Sequence, residues 1–167
     1  QALPDGLAVE IVGQRAVVSV APGVPRGARL GVPVGVADAV ADGTPGRIDV
    51  LVVPSTRPLA RPADDAAIAP RGQTTTVDVL SNDAATNPFP SVPLRVVDIR
   101  GLDNAGIPAG VTIEPTSDGQ RLQVSVTPTA SPGDTVLEYQ VADATDDPER
   151  YVWGSVRISV QDVPDPV

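Results

Sequence analysis

Residues 3–11 read Leu-Pro-Asp-Gly-Leu-Ala-Val-Glu-Ile, and residues 107–115 read Ile-Pro-Ala-Gly-Val-Thr-Ile-Glu-Pro. Pro4, Gly6 and Glu10 therefore stand where Pro108, Gly110 and Glu114 stand. The match continues. Gly13-Gln14-Arg15 corresponds to Gly119-Gln120-Arg121, Val18-Ser19-Val20 to Val124-Ser125-Val126, and Pro22 to Pro128. Further on, Gly27 meets Gly133, Val36-Ala37-Asp38 meets Val141-Ala142-Asp143, and Ile48, Val50 and Val52 fall on Val156, Ile158 and Val160. The offset moves only from 104 to 108 residues, a drift that turns can absorb. Self-similarity at a fixed spacing is the mark of a repeated structural unit. The segment 58–106 precedes the second copy and has no counterpart ahead of the first. The expected organisation is one complete module at 58–167, preceded at 1–57 by the C-terminal half of another.

The repeated segment reads as strands. Leu122, Val124 and Val126 alternate with Gln123 and Ser125; Leu137, Tyr139 and Val141 with Glu138 and Gln140; Val156, Ile158 and Val160 with Arg157 and Ser159. Period-two alternation with one polar face predicts half-buried antiparallel strands. Asp118-Gly119 lies between two such runs and predicts a hairpin. The stretches 73–80 and 94–100 add two more strands, with Val77 and Val79 on one face. Six or seven short strands in this span, with no helical periodicity, predict a sandwich. The expected core is Val77, Val79, Val111, Ile113, Leu122, Val124, Val126, Leu137, Tyr139, Val141, Val156 and Ile158. Its equivalents in the first copy are Ala16, Val18, Val20, Val32, Val34, Val36, Ile48, Val50 and Val52.

Composition agrees with this reading. Hydrophobic residues make up 41% of the 167, but aromatics only 2%, so the core must be aliphatic. The 19 Pro and 15 Gly are spread between Val-rich runs as turn formers. The net charge is −9, which repels nucleic-acid phosphates. All 12 basic residues are Arg, and the acidic residues are 17 Asp and 4 Glu. No run approaches the length of a membrane span, so direct membrane insertion is not expected. With no Cys there is no disulfide framework.

The chain resembles a known family through a set of motifs. Ala63-Asp64-Asp65 is followed by Gly72, then Val77-Asp78-Val79-Leu80-Ser81-Asn82-Asp83, then Pro93-Leu94-Arg95-Val96, and Tyr139-Gln140-Val141-Ala142-Asp143 precedes the Val-rich end. This is similar to the bacterial cadherin-like and immunoglobulin-like tandem repeats of large surface proteins. The resemblance covers nearly all of 60–163, and its second half covers 6–53. It implies an all-β fold of immunoglobulin-like (cadherin-like) antiparallel β-sandwich repeats, in a secreted or cell-surface protein that is often an adhesin or stalk.

In that topology the start of the first strand and two loops share one end of the sandwich. Asp64, Asp65, Asn82, Asp83 and Asp143 would converge there as candidate Ca²⁺ ligands, a cation that takes 6–8 oxygens. Asn82-Asp83 runs on into Ala84-Ala85-Thr86-Asn87-Pro88-Phe89, however, which supplies few further ligands. The preferred reading is that Asp83 and Asn82 instead make Asx-turn hydrogen bonds to loop amides, with no metal.

The chemistry available is narrow. Without His, Cys or Met there is no imidazole acid–base catalysis, no thiol nucleophile and few transition-metal ligands. Asp146-Asp147 reads as part of a solvated loop with Pro148, Glu149 and Arg150. Trp153 and Tyr151 fall on the polar parity of the last strand, as an exposed aromatic patch or beneath a neighbouring loop. No enzyme is expected. A structural spacer supporting adhesion is the leading expectation, and a glycan- or peptide-binding module the alternative. The partners expected are neighbouring modules of the same chain. A further expectation concerns 1–57, whose apolar face should be covered by a homodimer or by strand complementation, unless these residues are a trimmed piece of a longer chain or a shortened module that closes on itself with help from 58–167.

Overall fold

A computed structural model describes residues 2–40 and 43–163. The protein is all-β: among the described residues there are eleven strands, three single-turn 3₁₀ segments and no α-helix. Among the described residues no helix is long and apolar enough to cross a membrane. The chain divides into two compact units, Gln1–Thr56 and Arg57–Val167.

The first unit holds two hairpins. Strands β1 (Leu7–Val12) and β2 (Arg15–Val20) form one, and β3 (Arg29–Val36) and β4 (Thr44–Leu51) the other. The second unit holds seven strands: β5 (Asp65–Pro70), β6 (Thr74–Val77), β7 (Arg95–Gly101), β8 (Val111–Pro115), β9 (Leu122–Val126), β10 (Gly133–Ala142) and β11 (Val152–Gln161). They make two sheets, one ordered β5-β11-β10-β7 and the other β6-β9-β8.

The two sheets share one core. Leu137, Tyr139, Val141, Val156 and Ile158 from the first cluster with Val77, Val111, Ile113, Leu122, Val124 and Val126 from the second. All twelve residues expected in this core are buried. Burying an aliphatic side chain of this size contributes about 1.5–3 kcal/mol, so an almost ring-free interior suffices. The Asp118-Gly119 turn forms as expected, joining β8 to β9. Asp118 accepts hydrogen bonds from the Thr116 hydroxyl (2.6 Å) and the Gln120 amide (3.0 Å).

Two expectations need correction here. The sandwich is not wholly antiparallel, because β5 runs parallel to β11. No hairpin constrains β5: its continuation crosses to the other sheet within two residues. The Arg71 amide donates to Gln161 of β11, and the next amide, Gly72, donates to Val126 of β9. The strand expected at 73–80 also stops at Val77. Val79 and Leu80 leave the ladder but stay buried, so their apolar character reports the core rather than the strand.

The matched segments of the two units share strand pairings. Val9 pairs with Val18 as Ile113 pairs with Val124, and Val32 with Ile48 as Leu137 with Val156. Gly6 and Gly110 both take positive φ, +77° and +80°, and their carbonyls accept from Ala21 and Thr127 at the same 2.8 Å.

Burial is where the copies part. Of the nine core equivalents expected in the first unit, only Val32 is buried. Val18, Val34, Ile48, Val50 and Val52 are half-buried, and Ala16, Val20 and Val36 are exposed. The physical reason is that, among the described residues, this unit has two two-stranded sheets and no strands corresponding to β5, β6 and β7.

Candidate functional site

The polar residues singled out by the sequence lie in the second unit and are organised around two side chains of strand parity, Tyr139 and Asp143. Along β10, Leu137, Tyr139 and Val141 point inward, and Asp143 continues the series just beyond the strand.

The Tyr139 hydroxyl lies where the segment entering β5 meets the turn after β6. It donates to Asp65 Oδ2 at 2.8 Å, with the carbonyls of Val79 (3.2 Å) and Ala63 (3.3 Å) and Asp83 Oδ2 (3.5 Å) around it. Asn82 donates to the other Asp65 oxygen at 2.9 Å, and Asp83 Oδ1 accepts the Ala63 amide at 2.7 Å. The Thr86 hydroxyl accepts from the Arg61 amide at 3.0 Å. Asp64 turns away and accepts from Ser155 at 2.5 Å. Asp65, Asn82 and Asp83 thus come together, and their bonds clip the entry segment to the 82–86 turn.

Burial pushes the carboxyls of Asp65 and Asp83 above the ordinary range, and neighbouring negative charge adds to this. The phenol of Tyr139 is also pushed up, chiefly by burial and then by its bond to Asp65, and stays protonated as a donor.

Asp143 belongs to a separate arrangement. One oxygen accepts from the Thr145 amide (2.9 Å) and hydroxyl (2.5 Å), and the other accepts from Arg150 Nε at 2.8 Å. The Asp143 and Arg150 side chains are only 2% and 8% exposed. Arg150 also donates to the carbonyls of Arg57 (3.0 Å) and Pro58 (3.2 Å). Burial opposes ionisation of Asp143, but the Thr145 and Arg150 bonds outweigh it and hold the carboxyl below its usual range.

The five candidate calcium ligands therefore do not form one coordination shell. Asp143 faces a guanidinium, Asp64 faces Ser155, and the Tyr139 hydroxyl lies among the rest. Among the described residues no group of three or more His, Cys, Asp or Glu is arranged to hold a metal ion.

Arg150 is the residue that reading the chain as a solvated loop overlooks. Its signal was available, since Asp143 shares the inward parity of β10 and a buried carboxylate needs a cation nearby. Asp146 is held by Arg95 (2.9 Å) and the Tyr151 hydroxyl (2.8 Å), while Asp147 caps the short turn 148–150. Trp153 is half-buried beneath Arg100, whose guanidinium carbon is 3.8 Å from the ring centre. The aromatic pair is thus engaged by its own unit.

No family model matches the chain, and no curated protein matches it. Among solved structures it is similar to a nucleoside hydrolase-related hypothetical protein from Saccharophagus degradans associated with carbohydrate metabolism. That likeness has 20% identity and a TM-score of 0.41 over 78% of this chain. An endo-fucoidan hydrolase of glycoside hydrolase family 107 is similar at 13% identity and a TM-score of 0.37 over 98% of this chain. The chain spans 25% and 23% of the length of those two proteins.

Proposed function

We propose that this chain is a spacer segment of a secreted or cell-surface tandem-repeat protein, with residues 57–167 forming an immunoglobulin-like (cadherin-like) module. The observation that carries the reading is the recurrence of one strand register in both units, Val9–Val18 with Ile113–Val124 and Val32–Ile48 with Leu137–Val156. Conserving backbone pairing while side chains vary is what a repeated scaffold requires, since each unit must present the same geometry to its neighbours. The polar clusters support the same reading. Arg150 fastens residues 57 and 58, where the chain enters the second unit, and Asp83 fastens residue 63. Such clamps resist peeling of the entry segment under load.

A binding screen of the whole chain against surface glycans and peptides, combined with single-molecule stretching, tests this. The spacer reading expects no saturable ligand and a discrete unfolding step for the second unit. Saturable binding of a glycan or peptide with submillimolar affinity would overturn it in favour of a recognition module.

A further inference from the structure

Among the described residues the first unit carries only the strands that correspond to the receiving half of a sandwich. Its strands correspond to β8–β11 one for one: β1 to β8, β2 to β9, β3 to β10 and β4 to β11. In the second unit those four strands are completed by β6 against β9, β7 against β10 and β5 against β11. The corresponding edges of β2, β3 and β4 have no strand beside them among the described residues. Val126 shows what such an edge engages: its amide donates to Gln73 and its carbonyl accepts from Gly72. Val20 is its equivalent.

The apolar faces tell the same story. Val36 is 73% exposed where Val141 is 1% exposed, and Val20 is 37% exposed where Val126 is 4% exposed. Two-stranded hairpins with a partly exposed apolar face are marginal in water, and open strand edges are templates for an added strand.

We infer that the first unit is an acceptor for a polypeptide segment, from outside residues 1–167, that carries the three-strand pattern of 57–106. The occupant follows from the second unit, where that pattern covers the same face in the same register. Exchange between copies of this chain cannot meet the need. Each copy holds one β5–β7 set and two receiving sets, so swapping strands leaves the deficit unchanged. The inference does not depend on whether the assembled protein is a spacer.

The test adds a separate polypeptide of residues 57–106 to the full chain and follows residue-level hydrogen exchange and sedimentation. Amides of β2, β3 and β4 are expected to slow at least about tenfold in a 1:1 complex. Val36→Asp is the decisive variant. It adds an exposed charge to the free protein, leaving its exchange pattern unaltered, but would bury that charge in the completed unit. It should weaken the complex at least about a hundredfold. Unchanged exchange in the first unit at saturating polypeptide would overturn the inference, as would binding indifferent to Val36→Asp. A dimer of the chain alone that Val36→Asp dissociates would also overturn it, making a second copy the occupant.

Discussion

Tyr139 and Gly154 face each other across β10 and β11, and the tyrosine ring fills the space that a side chain at 154 would need. A Cβ there would stand 2.5 Å from Tyr139 Cζ and 2.7 Å from Pro62 Cβ. The missing side chain lets the ring lie flat and carry its hydroxyl to Asp65.

Gly154→Ala is therefore expected to displace Tyr139 and cost the second unit about 1–3 kcal/mol, as overpacking does. Gly106→Ala, with nothing within 4 Å of its Cβ, should stay within about 0.5 kcal/mol. Urea unfolding followed by Trp153 fluorescence reads both. Equal stabilities would show that the ring can move aside freely.

Arg150→Ala would leave the Asp143 carboxylate buried beside Thr145 and two uncapped carbonyls, of Arg57 and Pro58. Removing one partner of a buried ion pair costs about 3–5 kcal/mol. A double-mutant cycle with Asp143→Asn should give a coupling well above the roughly 0.2–1 kcal/mol of exposed pairs. A coupling in that lower range would show that water reaches the pair.

The pH dependence has two opposed parts. Asp65 and Asp83 hold protons more tightly in the folded state, so acidification from their raised values towards the ordinary 3.8 adds stability. Asp143 holds its proton less tightly, and its contribution is lost as pH falls below 3.8 through its lowered value. Melting temperature is thus expected to rise on mild acidification and then fall. Asp83→Asn keeps an acceptor for the Ala63 amide and should flatten the rise. An equally steep rise in that variant would assign it to general relief of the −9 charge.

Excess chelator is expected to leave the melting curve of the whole chain unchanged, because Asp65, Asp83 and Asp143 already accept from donors of the chain itself, the Asn82 amide among them. A ligand that binds only the folded state raises its stability by mass action. A fall of several degrees on chelation, reversed by added Ca²⁺, would therefore place the cation among these residues.

The amino-acid sequence by itself determined most strands and, in the second unit, their inward residues. Side-chain period and turn chemistry are local, and Leu122, Val124 and Val126 announce a buried face wherever they fold. It also marked Asp65, Asn82, Asp83 and Asp143 in the second unit, but not Arg150. The tertiary structure alone decided what those residues do. Whether Asp143 meets a cation or Arg150, and whether Asp65 faces solvent or the Tyr139 hydroxyl, depends on which segments the topology brings within 3 Å. The same holds for the first unit. Val36 and Val141 stand in the same motif, yet one is exposed and the other buried, because burial is a property of the strands that pack across a residue and not of the residue's own run.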